Sequence, residues 1–138
     1  MILVDTNVLV ALVDERDDLA HRAERDLKRL GVGPFGSTGP VLGEACFLLS
    51  KGYLRRRLWF LLARLDVAFL DVPSPFWDDV FDWMDRYEEH EPDLADAQIA
   101  VLCSRDRERR IWTYDREFRT TWRRMDGSRI PLAISASR

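Results

Sequence analysis

The chain opens with a short apolar run that passes directly into helix-capping residues. Residues 1–4 are Met, Ile, Leu and Val, and Asp5, Thr6 and Asn7 separate them from a second apolar stretch over residues 8–13. A run this short and this apolar is typical of a strand buried on both faces, as in parallel sheets. Because Asp, Thr and Asn are favoured at helix N-caps, we predict a buried strand leading straight into a helix.

Strand and helix patterns then alternate along the whole chain. Further strands are predicted over residues 35–38, 67–72, 110–114 and 131–134. Helices are predicted over residues 17–30, 40–50, 54–65, 76–87 and 94–104, with a short one ending near Trp122. This alternation favours an α/β fold with a mostly parallel sheet of about five strands and helices on both faces. With 138 residues and no repeat or linker, we expect a single domain over residues 1–138.

Composition excludes several classes of protein. Cys46 and Cys103 each lie in an apolar helical pattern, which indicates reduced core thiols rather than disulfides. The only histidines, His21 and His90, lie in polar surroundings, which argues against a zinc site. No apolar run approaches the roughly 20 residues that span a bilayer. Asp5 interrupts the apolar N-terminal stretch and no basic segment precedes it, unlike a signal peptide. We therefore expect a cytoplasmic protein without a membrane segment.

Charge is distributed unevenly along the chain. The net charge is −3, yet residues 105–138 carry ten arginines against five acidic residues. The preceding 104 residues carry the opposite bias. Arginine makes planar, bidentate contacts with phosphate. Two interpretations stay open: a basic tail that guides a polyanion toward the acidic body, or a solvated surface rich in arginine.

Two aspartates occupy equivalent positions at the ends of predicted strands. Asp5 follows the first strand, and Asp115 follows the strand over residues 110–114. In open α/β sheets, ligands bind at the carboxyl ends of the strands, so these two acids converge if their strands are neighbours. A carboxylate so close to a hydrophobic strand is costly unless a cation or a hydrogen-bond donor satisfies it.

Two further acids interrupt apolar helical surfaces. Glu44 is the only charge between residues 40 and 49, and Asp96 is flanked by alanines. Asp93 lies three residues before Asp96, so both share one helix face or its first turn. For Asp93, a helix cap and a role in a metal site are equally good interpretations.

Taken together, these acids offer only oxygen ligands. Clustered carboxylates repel one another unless a cation lies between them. All-oxygen sites suit Mg²⁺ or Mn²⁺, which activate water and neutralise a phosphoryl group. The sequence has neither a glycine-rich nucleotide-binding loop nor enough histidines for a nucleophilic triad.

Four segments in order resemble the PIN-domain ribonucleases, specifically the VapC-like toxins of type II toxin–antitoxin systems. They are residues 5–9 (DTNVL), Glu44, residues 93–100 (DLADAQIA) and residues 113–118 (TYDREF). The resemblance covers essentially the whole chain. It implies a Rossmann-like sheet of strand order 3-2-1-4-5, in which Asp5 and Asp115 lie on neighbouring strands.

The resemblance also implies roles for individual residues. Four acids would bind Mg²⁺ or Mn²⁺ and form the catalytic site: Asp5, Glu44, Asp96 and Asp115. Four neighbours would support them: Thr6, Asn7, Asp93 and Thr113. Of these, the two threonines would hydrogen-bond the site, and the asparagine would fix the first loop. Arg116 would contact RNA phosphate or an antitoxin.

The activity implied by the resemblance is metal-dependent endoribonuclease cleavage. The substrate would be tRNA, rRNA or mRNA, and the products 5′-phosphate and 3′-hydroxyl ends. The family implies a homodimer and a cognate antitoxin protein.

Other functions are compatible with the same residues. Alternatives are an RNA-processing nuclease of the same fold without an antitoxin, and a non-catalytic RNA- or protein-binding module. A phosphotransfer domain with an aspartate at a strand end is a fourth interpretation, but it needs neither Glu44 nor Asp96. A neighbouring reading frame that encodes an antitoxin would distinguish the toxin from the RNA-processing nuclease.

Overall fold

The structure is a computed structural model that describes residues 1–135. Its strands are β1 (Ile2–Val4), β2 (Phe35–Thr38), β3 (Ala68–Leu70) and β4 (Arg110–Trp112). Its helices are α1 (Thr6–Val13), α2 (Ala20–Leu30), α3 (Gly39–Leu48), α4 (Gly52–Arg64), α5 (Trp77–Arg86), α6 (Leu94–Arg105) and α7 (Glu117–Thr120). Two short 3₁₀ helices cover Ser74–Phe76 and Glu88–His90. Within residues 1–135, no helix combines the length and the apolar character needed to cross a bilayer.

The four strands form one parallel sheet in the order β3-β2-β1-β4. On one side of β1, Ile2 pairs with Phe35 of β2, and on the other side Leu3 pairs with Ile111 of β4. The predicted α/β class and the order 3-2-1-4 are therefore confirmed. Because all strands run the same way, their carboxyl ends meet at one edge of the sheet.

The predicted fifth strand, over residues 131–134, is reduced to a single parallel bridge between Leu132 and Ile111. The Ile111 N–H donates to the Pro131 carbonyl at 2.9 Å, and the Ala133 N–H donates to the Ile111 carbonyl at 2.8 Å. The segment thus lies beside β4, where a fifth strand belongs. Pro131 has no N–H to extend the ladder backward, so pairing stops there.

Strand β1 lies at the centre of the core. Ile2, Leu3 and Val4 are each at most 2% exposed. Since successive side chains of a strand point to opposite faces, both faces of the sheet are covered by helices. Helix α1 packs against α2, α3 and α4, and α5 packs against α6.

Glycine in β2 allows close packing of the central strands. A Cβ atom at Gly36 would lie 2.5 Å from the sulfur of Met1 and 3.3 Å from the carbonyl oxygen of Ala68. Glycine usually weakens a strand, but here a Cβ atom would displace the Met1 side chain and press on the backbone of β3. The glycine-rich segment predicted as the second strand is therefore a strand.

The arginines near the C-terminus do not form one solvated tail. Arg124 is only 5% exposed. Its guanidinium donates to the carbonyl oxygens of Cys103, Arg129 and Arg107 at 3.0, 2.9 and 3.2 Å, and to the Ser128 hydroxyl at 3.3 Å. A buried guanidinium bound to four acceptors stabilises the fold and is not available to phosphate.

Two other arginines of this region are also engaged within the protein. Arg109 donates to the Leu102 carbonyl near the end of α6 at 2.8 Å. The Arg105 guanidinium stacks over Phe76, 3.5 Å from the ring centroid. Each interpretation of the basic segment treats its arginines as one group. The structure instead divides them into arginines that stabilise the fold and arginines that are exposed.

Candidate active site

Five carboxylates line one cavity of about 110 Å³ at the carboxyl edge of the sheet. They come from four parts of the chain: Asp5, Glu44, Asp93, Asp96 and Asp115. Thr6 and Asn7 also line this cavity, which we call the acidic cavity. All four acids that the sequence proposes as metal ligands are therefore brought together.

Asp5 is held from two directions. It is the N-cap of α1 and is 6% exposed. Its Oδ1 accepts the Thr6 N–H at 2.8 Å, and its Oδ2 accepts the Thr113 hydroxyl at 2.7 Å. The Asn7 amide lies 3.5 Å from Oδ2. Asp5 is therefore fixed by α1 and by the segment after β4.

The segment after β4 leaves the sheet earlier than predicted. We predicted a strand to residue 114, but β4 ends at Trp112 because the next residues bond elsewhere. The Tyr114 N–H donates to Asn7 Oδ1 at 3.1 Å, and the Asp115 N–H donates to Thr113 Oγ1 at 3.0 Å. Asn7 thus ties the first helix to this segment, which places Asp115 beside the acidic cavity.

Asp93 and Asp96 bind each other at the start of α6. The Asp96 N–H donates to Asp93 Oδ1 at 2.8 Å, and the Asp93 N–H donates to Asp96 Oδ2 at 3.3 Å. This reciprocal pair is a capping box. The structure thus makes Asp93 the cap of α6, and it also places this residue on the wall of the acidic cavity.

Glu44 reaches the acidic cavity from α3. That helix starts where the Thr38 hydroxyl accepts the Val41 N–H at 3.4 Å. Glu44 is exposed and lies close enough to Asp93 for the two carboxyls to interact. It is the most solvated of the four proposed ligands, and the supporting residue Asp93 is exposed as well.

The electrostatics of the cavity reflect burial and mutual repulsion. The pKa of Asp5 is raised to about 6, chiefly by burial and also by the charges of Asp115 and Asp93, while the hydrogen bonds from Thr113 and Thr6 oppose the rise. Burial, followed by the charge of Asp93, raises the pKa of Asp96 to about 8. The same two causes raise the pKa of Glu44. A cation placed among these groups would stabilise their charged forms.

The donors suit a hard divalent cation. The acids and the threonine of the acidic cavity all offer oxygen atoms, and the buried Thr6 hydroxyl has no hydrogen-bond partner among residues 1–135. Among residues 1–135, no three His, Cys, Asp or Glu side chains stand close enough together to enclose an ion. Mg²⁺ keeps several of its waters and is usually bound through one or two carboxylates rather than a closed protein cage. The oxygen donors therefore suit such an ion, held directly by one or two of these carboxylates, with water completing its coordination.

Sequence reasoning missed a pair of residues that supports the site. The Tyr114 hydroxyl donates to Asp26 Oδ2 at 2.8 Å and accepts from the Trp112 indole at 3.2 Å. Asp26 is 5% exposed on α2, and burial, followed by this hydrogen bond, raises the pKa of Tyr114. One feature of the sequence could have indicated this pair. Asp26 is an acid three residues after Ala23, on the apolar face of α2, where a charge needs a partner.

Arg116 lies one residue beyond Asp115 and is exposed. It lines a second cavity that borders the acidic one. This position is compatible with the predicted contact to RNA or an antitoxin, and it does not distinguish between them.

The parallel sheet, with helices on both faces and the acidic cavity at its carboxyl edge, defines a Rossmann-like α/β domain. The PIN domain family model matches residues 2–122, so the chain belongs to the PIN domain family. The fold is also similar to that of VapC20 from Mycobacterium tuberculosis, whose crystal structure is described as that of a Sarcin-Ricin loop cleaving toxin. The TM-score is 0.71 with 24% sequence identity, over 86% of this chain and 93% of that chain. No curated protein matches the chain.

Proposed function

We propose that this chain is a metal-dependent endoribonuclease and the toxin of a toxin–antitoxin pair. The observation that carries the proposal is the convergence of five carboxylates on one cavity in a chain of the PIN domain family. The similarity in fold to VapC20, a Sarcin-Ricin loop cleaving toxin, supports RNA as the substrate class. It also makes a structured rRNA loop the first substrate to test.

In this proposal, the metal ligands are Asp5, Glu44, Asp96 and Asp115. When bound there, Mg²⁺ or Mn²⁺ supplies an activated water and neutralises charge on the phosphoryl group. The resemblance then implies hydrolysis to a 5′-phosphate and a 3′-hydroxyl.

The surrounding residues hold the acids in position. Thr113 and the Thr6 N–H orient the two oxygens of Asp5, which leaves the carboxylate with little rotational freedom. The capping box does the same for Asp96. Preorganised ligands of this kind avoid the cost of rearrangement during the reaction.

The test is cleavage of RNA by the purified protein. Substrates are a sarcin–ricin-loop oligonucleotide and a mixed tRNA pool, each with Mg²⁺, with Mn²⁺ and with EDTA. We expect cutting at discrete sites that EDTA abolishes and that Asp5→Asn reduces at least a hundredfold. Asp78→Asn is the matched control, because Asp78 is an exposed acid on α5. A folded Asp5→Asn protein that cuts like the wild type would disprove the assignment.

The homodimer, the antitoxin partner and action in the cytoplasm are further predictions of the family resemblance. Co-purification of the chain with the product of a neighbouring small reading frame tests the antitoxin. Size-exclusion chromatography with light scattering tests the dimer. An active chain that lacks a neighbouring antitoxin would favour the RNA-processing alternative.

A further inference from the structure

A second cavity, rich in arginine, borders the acidic cavity. It has a volume of about 350 Å³, within the range of roughly 300–1,000 Å³ that is typical of small-molecule sites. Asp115 lines both cavities and forms the wall between them. We call the second cavity the arginine pocket; it is lined by Arg22, Thr113, Tyr114, Asp115, Arg116, Arg119, Leu132 and Ile134.

The positive charge of this pocket is largely unneutralised. Arg116 and Arg119 are exposed, and among residues 1–135 their guanidinium groups have no hydrogen bond and no acidic group within 4.0 Å. Arg22 is held in place by stacking over the Tyr114 ring, 4.5 Å from its centroid, and by Asp26 at 3.9 Å. One guanidinium is therefore preorganised, and two are available to a ligand.

The pocket also has an apolar side. Leu132 and Ile134, from the segment beside β4, contribute aliphatic side chains to its lining, in which Asp115 is the one carboxylate among the described residues. Guanidinium groups bind phosphate with two parallel hydrogen bonds, and aliphatic side chains pack against the face of a sugar or base. A nucleotide offers both kinds of surface.

The cavities continue beyond the arginine pocket. A third cavity of about 250 Å³ shares Arg22 and Ile134 with it and adds Arg25 and Arg29 of α2. The arginine pocket therefore shares lining residues both with the acidic cavity and with this third cavity. Adjoining cavities that carry several guanidinium groups suit an extended polyanion better than a single small anion.

We infer that the arginine pocket binds the nucleotide next to the cleaved bond, with its non-scissile phosphate on Arg116 and Arg119. This inference rests on the proposed function, which places the scissile phosphate in the acidic cavity. An acidic peptide would satisfy the same guanidinium groups. RNA is favoured because Asp115 lines both cavities, so a strand with one phosphate in the acidic cavity, as the proposed function requires, places the adjacent nucleotide at the arginine pocket.

The test separates binding from cleavage. The Kd of a fluorescent ten-nucleotide single-stranded RNA is measured by anisotropy in EDTA across a range of KCl concentrations. We expect the double variant Arg116→Ala/Arg119→Ala to weaken binding roughly tenfold and to reduce the salt slope by about 1 to 2. Arg110→Ala is the control, because Arg110 is exposed at the start of β4, at the opposite edge of the sheet.

The outcomes decide between RNA and its competitors. An unchanged RNA Kd and salt slope in the double variant would overturn the inference. So would loss of binding to a hexaglutamate peptide with RNA binding retained, since the pocket would then recognise an acidic protein segment. Failure of the proposed function gives a different result, because RNA binding in EDTA would still depend on Arg116 and Arg119 while no variant cleaved RNA. Thermal unfolding of each variant checks that the fold is intact.

Discussion

Thr113 and Asp5, which are 108 positions apart in the sequence, are joined by a 2.7 Å hydrogen bond from Thr113 Oγ1 to Asp5 Oδ2. The same Oγ1 accepts the N–H of Asp115 at 3.0 Å. One hydroxyl therefore sets the position of two of the proposed metal ligands. It links the end of β1 to the segment that follows β4.

Replacing Thr113 by valine tests this relationship. The variant keeps the shape of the side chain but removes the hydroxyl, so Asp5 loses a hydrogen bond that lowers its pKa. We expect at least a tenfold loss of RNA cleavage and a fall of about 1 kcal/mol in the free energy of unfolding. Thr113→Ser retains the hydroxyl and should keep most of the activity. Equal activity of Thr113→Val and the wild type would contradict the role.

Replacing Tyr114 by phenylalanine tests the link between α2 and the site. Asp26 would lose its 2.8 Å hydrogen bond while remaining buried. Asp26 would keep its ion pairs with Arg22 and Arg29, but losing a hydrogen bond to a charged group costs about 2 kcal/mol, which urea unfolding measures. Cleavage should also fall, because residues 113–115 lose an anchor. Tyr53→Phe is the control, since Tyr53 is 55% exposed.

Arg124→Met should destabilise the fold by about 3 kcal/mol. The change removes the donor of a buried carbonyl oxygen, that of Cys103, and of two partly buried ones, those of Arg107 and Arg129. Lysine supplies charge but not the planar fork, so Arg124→Lys should recover only part of this loss. Unfolding in guanidinium chloride measures the free energy of unfolding of both variants. A stability loss for Arg110→Ala as large as that for Arg124→Met would show that burial of Arg124 is not the cause.

Alkylation of cysteines tests the burial of α6. Burial raises the pKa of the Cys103 thiol to about 12, so at pH 8 almost none of it is the reactive thiolate. Cys46 is only partly buried. We expect iodoacetamide to modify at most one cysteine of the folded chain and both after unfolding, as measured by intact mass. Cys46→Ala should then show no modification while folded. Rapid modification of folded Cys103 would contradict its placement in the core.

Much of the fold follows from local patterns. A run as short and apolar as residues 1–4 has few other solutions than a central parallel strand, and β1 is that strand. The meeting of Asp5 and Asp115 at one sheet edge follows from strand direction only if β1 and β4 are neighbours, which the family resemblance implied and no local pattern did. The predicted fifth strand is longer than the observed single bridge. Its apolar pattern does not reflect that Pro131 has no N–H to donate to β4.

The supporting residues of the site were harder to find, because their partners are distant in sequence. Periodicity assigns Asp26 to a surface helix, and only the fold brings the Tyr114 hydroxyl to it. Charge counting likewise treats Arg124 and Arg119 alike, although one is buried among carbonyl oxygens and the other lines a cavity. Which long-range contacts form depends on packing, and no local pattern encodes it.

The bond between Asp26 and Tyr114 has a consequence for chimeric proteins. Helix α2 has the composition of an exchangeable outer segment, yet one of its residues anchors the loop beside the acidic cavity. A graft that replaces α2 with the equivalent helix of a relative would remove Asp26 and leave Tyr114 without its partner. Such grafts should regain function only when residues 26 and 114 are transferred together, as a single inherited unit.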